Sequence, residues 1–175
     1  MAQVLRASEV AGSWPAIVEL FWATSARKAF DSIPEKTAFQ DRYLGLYAKD
    51  FAEHVFLAMK GHEVVGYVLG VPDTRQATSI LSANPHVAIF EDVFSHYPAH
   101  LHINCAASVQ GQGIGTTLIA AFEEHLRGLG VRGLHLVTSP TARNVSFYER
   151  NGYAHKVERL WEGSPLLLLG KTLQA

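Results

Sequence analysis

The chain has 175 residues, 48% of them hydrophobic and 18% charged, with a formal charge of −1. That length suits one well-buried domain and is short for two, and so apolar a composition closes a core without metal or disulfide. Interspersed charges give no basic stripe for nucleic acid, the lone Cys105 permits no internal disulfide, no secretory n-region opens the chain, and the longest apolar stretch near its end, 165–169, is too short to span a bilayer, so a cytoplasmic protein without nucleic-acid or membrane partner is expected.

In chain order, Val4 to Ala7 reads as a short first strand. Between Pro15 and Phe30, Ile17, Leu20 and Phe21 form one apolar stripe with Thr24 next on the same face, which predicts a helix. A second helix is predicted from Pro34 to about Lys49, where Phe39, Tyr43, Leu46 and Tyr47 recur at helical spacing. His54 to Met59 and Val64 to Val71 are β-rich runs joined through Lys60-Gly61-His62-Glu63 as a hairpin. Asp73 to Pro98 contains Pro85 and short mixed patterns, and is expected as helix plus loop covering an acceptor site. Leu101 to Ala106 is a strand, and the segment after it carries Ile114, Leu118, Phe122, Leu126 and Leu129 on one side before ending at Gly128 or Gly130. Gly133 to Thr138 is the next strand. Ser139-Pro140 then offers an N-cap and a proline at the first helical position, Gly152 a C-terminal stop, and Thr141, Asn144 and Tyr148 a shared helical face. Lys156 to Trp161 and Leu166 to Leu173 are two strands around Gly163-Ser164-Pro165. No repeat, low-complexity tract or Gly/Ser linker divides the chain, so residues 1–175 read as a single α/β domain.

Gln110-Gly111-Gln112-Gly113-Ile114-Gly115 joins a strand to an amphipathic helix. Unpaired N–H groups at such a helix start converge on an anion, and the helix dipole favours negative charge there, so a phosphate-bearing cofactor is expected. A nucleoside-triphosphate loop needs Gly-Lys-Ser/Thr, which is absent, and the dinucleotide fingerprint needs a third glycine where Thr116 stands. What remains is Gln/Arg-x-x-Gly-x-Gly, met by Gln110, Gly113 and Gly115, which resembles the acetyl-CoA pyrophosphate loop of the GNAT acyltransferase superfamily. A second element, Asn144-Val-Ser-Phe-Tyr148-Glu-Arg-Asn-Gly152-Tyr153, is similar to that superfamily's later tyrosine helix, and one helix and one strand separate the two, as in the superfamily. A narrower resemblance, to the acetyltransferase-like domain of O-GlcNAcase and its free-standing bacterial relatives, rests on Gly66 to Thr74, Tyr97 to Ile103, Trp161-Glu162-Gly163 and Leu169 to Leu173. It departs at Asn104, where the resemblance implies an acidic residue.

The resemblance implies a GNAT fold, a mixed central sheet of roughly six to seven strands with a splayed central pair and helices on both faces. It implies acetyl-CoA (coenzyme A) as cofactor, with its pantetheine arm against the backbone of Asn104, Cys105 and Ala106 and its pyrophosphate on Gln110, Gly111, Gln112, Gly113, Ile114, Gly115 and Thr116, while Asn144 and Tyr148 face it from the later helix. Direct attack by an amine then draws on the order of 7–11 kcal/mol from proximity and orientation. Tyr148 is the natural acid for the departing thiolate, a phenol near pKa ~10 beside a thiol near ~8.5, unless it only packs in the core. His102, then His100, two apart on one strand face, are candidates for the base, with Asp92 and Glu91 as further options; either histidine can equally be a strand residue bonded to a neighbour.

His96, His100 and His102 lack an acidic or cysteine ligand at a recognised spacing, so no metal is expected. Cys105 is a nucleophile or a small buried hydrophobe, Trp161 and Tyr97 line an acceptor pocket or pack, and Ser146 has no His/acid partners that would activate it. The expected activity is acetyl transfer from acetyl-CoA to an amine on a small molecule, peptide or protein. The alternative is an acetyl-CoA-binding module that transfers nothing. The sequence leaves acceptor and oligomeric state open.

Overall fold

A computed structural model describes residues 2–173. Its strands are β1 (Gln3–Arg6), β2 (Val55–Lys60), β3 (Glu63–Val71), β4 (Ala99–Cys105), β5 (Gly133–Thr138), β6 (His155–Trp161) and β7 (Ser164–Thr172). They form a seven-stranded mixed sheet in the order β1-β2-β3-β4-β5-β7-β6, the α/β architecture expected from the sequence. The helices are α1 (Ser13–Thr24), α2 (Ile33–Gln40), α3 (Leu46–Asp50), α4 (Thr78–Ala83), α5 (Ile114–Gly128) and α6 (Val145–Arg150). By internal packing the chain divides into two compact units, Met1–Gly70 with His102–Glu124, and Val71–Leu101 with His125–Ala175.

In the first unit β1 pairs antiparallel with β2 from Gln3–Met59 to Arg6–Phe56, and β2 with β3 from Val55–Leu69 to Lys60–Glu63. The β2–β3 connection turns at Gly61, which takes a positive φ of 62° that a side chain disfavours. Gly66 on β3 sets how closely α5 lies against the sheet: a Cβ there would stand 3.0 Å from Leu118 Cδ1 and 3.1 Å from Cys105 Sγ. Ile17, Tyr47, Leu57, Tyr67, Leu118 and Phe122 are fully buried in this unit.

Helix α1 stops at Thr24, short of the predicted Phe30. Thr24 Oγ1 turns back on the carbonyls of Leu20 (2.8 Å) and Phe21 (3.2 Å), and Lys28 Nζ donates to the carbonyls of Trp22 and Ala23. Those bonds satisfy the helix's last acceptors, so the chain leaves the helix with little loss. Helix α2 starts on Ser32, whose Oγ accepts from Glu35 N at 3.2 Å, with Pro34 in its first turn. The predicted single helix to Lys49 is realised as α2, a π-helical segment at Asp41–Gly45, and α3.

In the second unit β4 and β5 run parallel, paired at Ala99–Leu134 and His100–His135, while β5–β7 and β7–β6 are antiparallel. Strands β6 and β7 are joined by a two-residue turn with positive φ at Glu162 (48°) and Gly163 (79°), the backbone twist that suits a tight hairpin. The 73–98 stretch, predicted as helix plus loop, forms α4 and a 3₁₀ run at Pro85–Ser95 whose Phe90, Val93 and Phe94 pack with Leu168.

Helix α6 begins at Val145, five residues after the predicted start at Pro140. Ser139 Oγ accepts from Thr141 N (3.3 Å), Ala142 N donates to Ser139 O (3.0 Å), and Val145 N to Ala142 O (3.2 Å), so two successive turns precede the helix. Thr141 therefore does not share a helical face with Asn144 and Tyr148, and Asn144 is the N-cap. The far end is the predicted one. Gly152 (φ 89°) donates to Glu149 O at 3.0 Å, Tyr153 N to Tyr148 O at 3.1 Å, and the Tyr148 and Tyr153 rings meet at 5.6 Å, a Schellman motif with its apolar contact. Gly152→Ala places a Cβ in the left-handed region and should cost about 1–2 kcal/mol, lowering Tm by roughly 2–8 °C in a thermal melt.

Candidate active site

Helix α5 starts on a residue without a side chain. Thr117 N donates to Gly113 O at 3.0 Å, the first intrahelical bond, so Gly113 is the N-cap and contributes only its carbonyl. The N–H groups of Ile114, Gly115 and Thr116 have no acceptor within the helix, and no side chain at position 113 reaches back to take one. Gly111 and Gly113 have φ of 76° and 78°, and a Cβ on either would meet no protein atom within 4 Å. Gly115 lies within the first helical turn, without positive φ, so the left-handed dihedrals of the loop belong to the other two glycines. The loop from Gln110 to Gly113 is exposed between buried Val109 and Ile114. Gln110 and Gln112 are bound locally: their N–H groups go to Ala107 O and Val109 O, and Gln112 Nε2 donates to Ser108 O. An exposed, positively polarised set of main-chain donors at a helix start could hold a diphosphate.

Upstream of the loop, Ala106 N donates to Val65 O at 2.9 Å and Ala106 O accepts from Val109 N. Its backbone groups are thus engaged, which corrects the expectation that the Ala106 N–H awaits a ligand. Cys105 is half-buried beside Gly66, and burial pushes its thiol up to about 11, so it behaves as a small hydrophobe and not as a nucleophile. Asn104 Nδ2 donates to Tyr67 Oη at 2.7 Å. The phenol is buried, which raises its pKa well above the ordinary tyrosine range. His102 is half-buried, its ring met edge-on by Tyr43 (5.8 Å) and Tyr47 (5.7 Å).

The other candidates belong to the second unit. His100 is only 6% exposed, and its Nδ1 lies 2.8 Å from Thr74 Oγ1. Thr74 Oγ1 also donates to Pro98 O at 2.8 Å. A carbonyl only accepts, so the hydroxyl gives its proton to Pro98 O and accepts the His100 Nδ1–H. His135, its cross-strand neighbour, donates Nδ1–H to Tyr97 O (2.6 Å) and stacks on Phe94 at 4.8 Å. Asp92 is corrected as a base: it holds Arg159 through both oxygens at 2.7 and 2.8 Å, and that guanidinium keeps its carboxyl below the usual range. Glu91 is exposed, its carbonyl accepting from Arg75. For Tyr97 the packing alternative holds: its ring lies against the backbone at Gly133 and Gly170 and stacks on His155 at 5.0 Å. Trp161 is half-buried at the end of β6, and Ser146 is an exposed residue of α6. Tyr148 is 5% exposed between Phe147 and Tyr153, and Asn144 Oδ1 accepts from Thr138 Oγ1 at 3.3 Å. Among the described residues no group of three His, Cys, Asp or Glu side chains is placed to hold a metal, and no helix is long and apolar enough to cross a membrane.

Sequence reasoning did not single out Thr74, Tyr67 or the tyrosine pair around His102. Tyr43 and Tyr47 were visible only as part of a helical stripe. An ordinary thiol titrates near 9.0, so the Cys105 thiolate population at pH 7 is roughly a hundredfold lower in the folded protein. A thiol-specific disulfide reagent at pH 7 should therefore modify the native chain at least about 100-fold more slowly than the unfolded chain, with the difference narrowing as pH approaches 11. Equal rates would refute this.

Residues 14–153 match the acetyltransferase (GNAT) family, a span that runs through both units. Solved structures with the same fold include SsHAT (TM-score 0.76, 23% identity, 99% of each chain covered). A ribosomal-protein-alanine N-acetyltransferase from Brucella melitensis follows at TM-score 0.63 and 20% identity, with 98% of this chain and 99% of that one covered. The ribosomal-protein-S18-alanine N-acetyltransferase from Escherichia coli gives TM-score 0.60 and 16% identity, with 100% and 96% covered. With its glycine-capped loop, its strand order and this match over most of its length, the chain belongs to the GNAT acetyltransferase family.

Proposed function

We propose that this protein is an N-acetyltransferase that moves an acetyl group from acetyl-CoA directly to an amine. The observation that carries the reading is the bare start of α5, where Gly113 caps the helix with a carbonyl alone and the N–H groups of Ile114, Gly115 and Thr116 stay available beside two positive-φ glycines. In this reading Gln110 to Thr116 hold the diphosphate, while Asn104 and Cys105 on β4 line the pantetheine arm. Bound acetyl-CoA supplies an activated thioester, whose C–S bond breaks as the acceptor nitrogen forms the new C–N bond. His102 takes the proton that the ammonium loses. Tyr148 gives its phenolic proton to the departing thiolate, and Asn144 orients the ligand from the N-cap of α6. Within the family we place the chain beside the acetyltransferase-like domain of O-GlcNAcase, on the four strings that carry that resemblance, and we assign it to the cytoplasm as a single domain.

Calorimetry with acetyl-CoA and a free-thiol release assay over an amine panel test this directly. Gly113→Ala, which forces a side chain into the left-handed region at the cap, should weaken acetyl-CoA at least about tenfold, or about 1.4 kcal/mol, with little change in secondary structure. Tyr148→Phe should lower kcat by about a hundredfold or more with acetyl-CoA affinity retained, the loss expected of a general acid. Acetyl-CoA binding with no thiol release from any amine would refute transfer. Absence of binding would refute both the transfer and the cofactor assignment.

A further inference from the structure

Within the first unit a file of rings leads to His102. Phe30 and Phe39 lie 5.2 Å apart between centroids, Phe39 and Tyr43 4.9 Å, and Tyr43 and His102 5.8 Å at 86°. Trp22 flanks the outer end, 5.6 Å from Phe30 and 6.1 Å from Phe39. Tyr47, which also meets His102 edge-on, is fully buried, whereas Trp22, Phe30, Phe39 and Tyr43 are only half-buried, so aromatic surface stays exposed along the file. Half-buried rings in one contiguous strip offer apolar surface against which a ligand ring can pack.

The backbone keeps this strip in line. In an uninterrupted α-helix every fourth residue drifts by about 40° around the axis. The π-helical segment at Asp41–Gly45 widens one turn between Phe39 and Tyr47 and takes that drift back, so both Tyr43 and Tyr47 reach the His102 ring. Single π turns of this kind concentrate at functional sites.

The two ends of the strip differ in charge. At the outer end Arg27 lies over Phe30 (4.3 Å) and Phe39 (5.8 Å), and Lys36 over Trp22 (4.8 Å), so the cation-binding faces there already serve the chain's own cations. At the inner end no cation is stacked on Tyr43 among the ring contacts of the described residues, and Asn104 lies two residues beyond His102 on the same face of β4. Tyr67 fixes the Asn104 amide by accepting from Nδ2, which leaves Oδ1 as an acceptor with no donor among the described residues. An amine nitrogen needs such an acceptor next to the base.

We propose that the acceptor is a primary amine carried on a short chain from an aromatic ring, with the ring against Phe39 and Tyr43 and the nitrogen between Asn104 Oδ1 and His102. This deepens the transferase reading and rests on it. A polycation would meet Arg27 and Lys36 at the outer end, and an alkyl chain would forgo the edge-to-face ring contacts.

Calorimetric titrations of the intact protein, with saturating coenzyme A present, should compare 2-phenylethylamine, n-hexylamine and spermidine. The aromatic amine should bind at least about tenfold more tightly than n-hexylamine, and spermidine should bind weakest. Phe39→Leu and Tyr43→Leu, which keep apolar volume, should each erase most of that preference while leaving acetyl-CoA affinity unchanged. Equal affinity for the two monoamines in the wild type, or a preference that survives both substitutions, overturns the proposal. Thiol release on the same samples separates the two ideas: ring-selective binding without thiol release sinks the transferase reading alone, and thiol release without ring selectivity sinks this one alone.

Discussion

The helix start at Gly113 is the constraint on which the rest depends. An ordinary N-cap serine, threonine or aspartate would turn its side chain onto the first-turn N–H groups and close them to any ligand. Glycine cannot, so the dipole end of α5 stays available. The loop is nevertheless fixed at both ends, because Val109 and Ile114 are buried on either side of it. Farther back, Gly66 admits Leu118 and Cys105 against β3, which sets where α5 lies on its sheet. The main-chain donors that could hold a phosphate are therefore positioned by apolar packing a full turn away from them.

Strands were the most legible part of the fold, since period-two patterns and turn glycines mark their ends and hydrogen-bonded neighbours then enforce them. The hairpin at Gly61 and the strand Gly133–Thr138 are found where the pattern places them. Helix ends were less legible because they are decided by competition between side chains and backbone. Thr24 and Lys28 take the carbonyls of α1 before Phe30 is reached, and Ser139 with Thr141 diverts the chain into turns so that Asn144 caps α6. Periodicity sees none of these bonds. The π-helical segment is hidden for the same reason, since the residues of Asp41–Gly45 fit an α pattern as well.

The candidate site was legible as a loop and only in part as chemistry. Glycine spacing is local, so Gln110 to Thr116 could be read directly. The environment of each histidine is not local. His100 meets a threonine 26 residues away and His135 a carbonyl 38 residues away, whereas His102 meets tyrosines from α3 and the π-helical segment before it. From sequence, His100 and His102 are two residues on one strand face. In the structure one is buried with its Nδ1 bonded to Thr74, and the other is half-exposed among aromatic edges. Asp92 shows the opposite lesson, because an acidic residue in a covering segment looks available until Arg159 is found holding both of its oxygens.

Asn104 connects these observations. A carboxylate at this position would pair electrostatically with a protonated histidine on the same strand face and would compete with an acceptor for it. An amide carries no charge to compete with. Tyr67, 37 residues earlier in the chain, holds its nitrogen at 2.7 Å, so the carbonyl oxygen is the part of the amide left to accept from a ligand. In the proposed mechanism proton removal falls to His102, and Asn104 orients the nitrogen before it attacks. In that mechanism the glycine loop would meet a charge that the ligand always carries, while residue 104 would meet a group whose charge must disappear for reaction to occur.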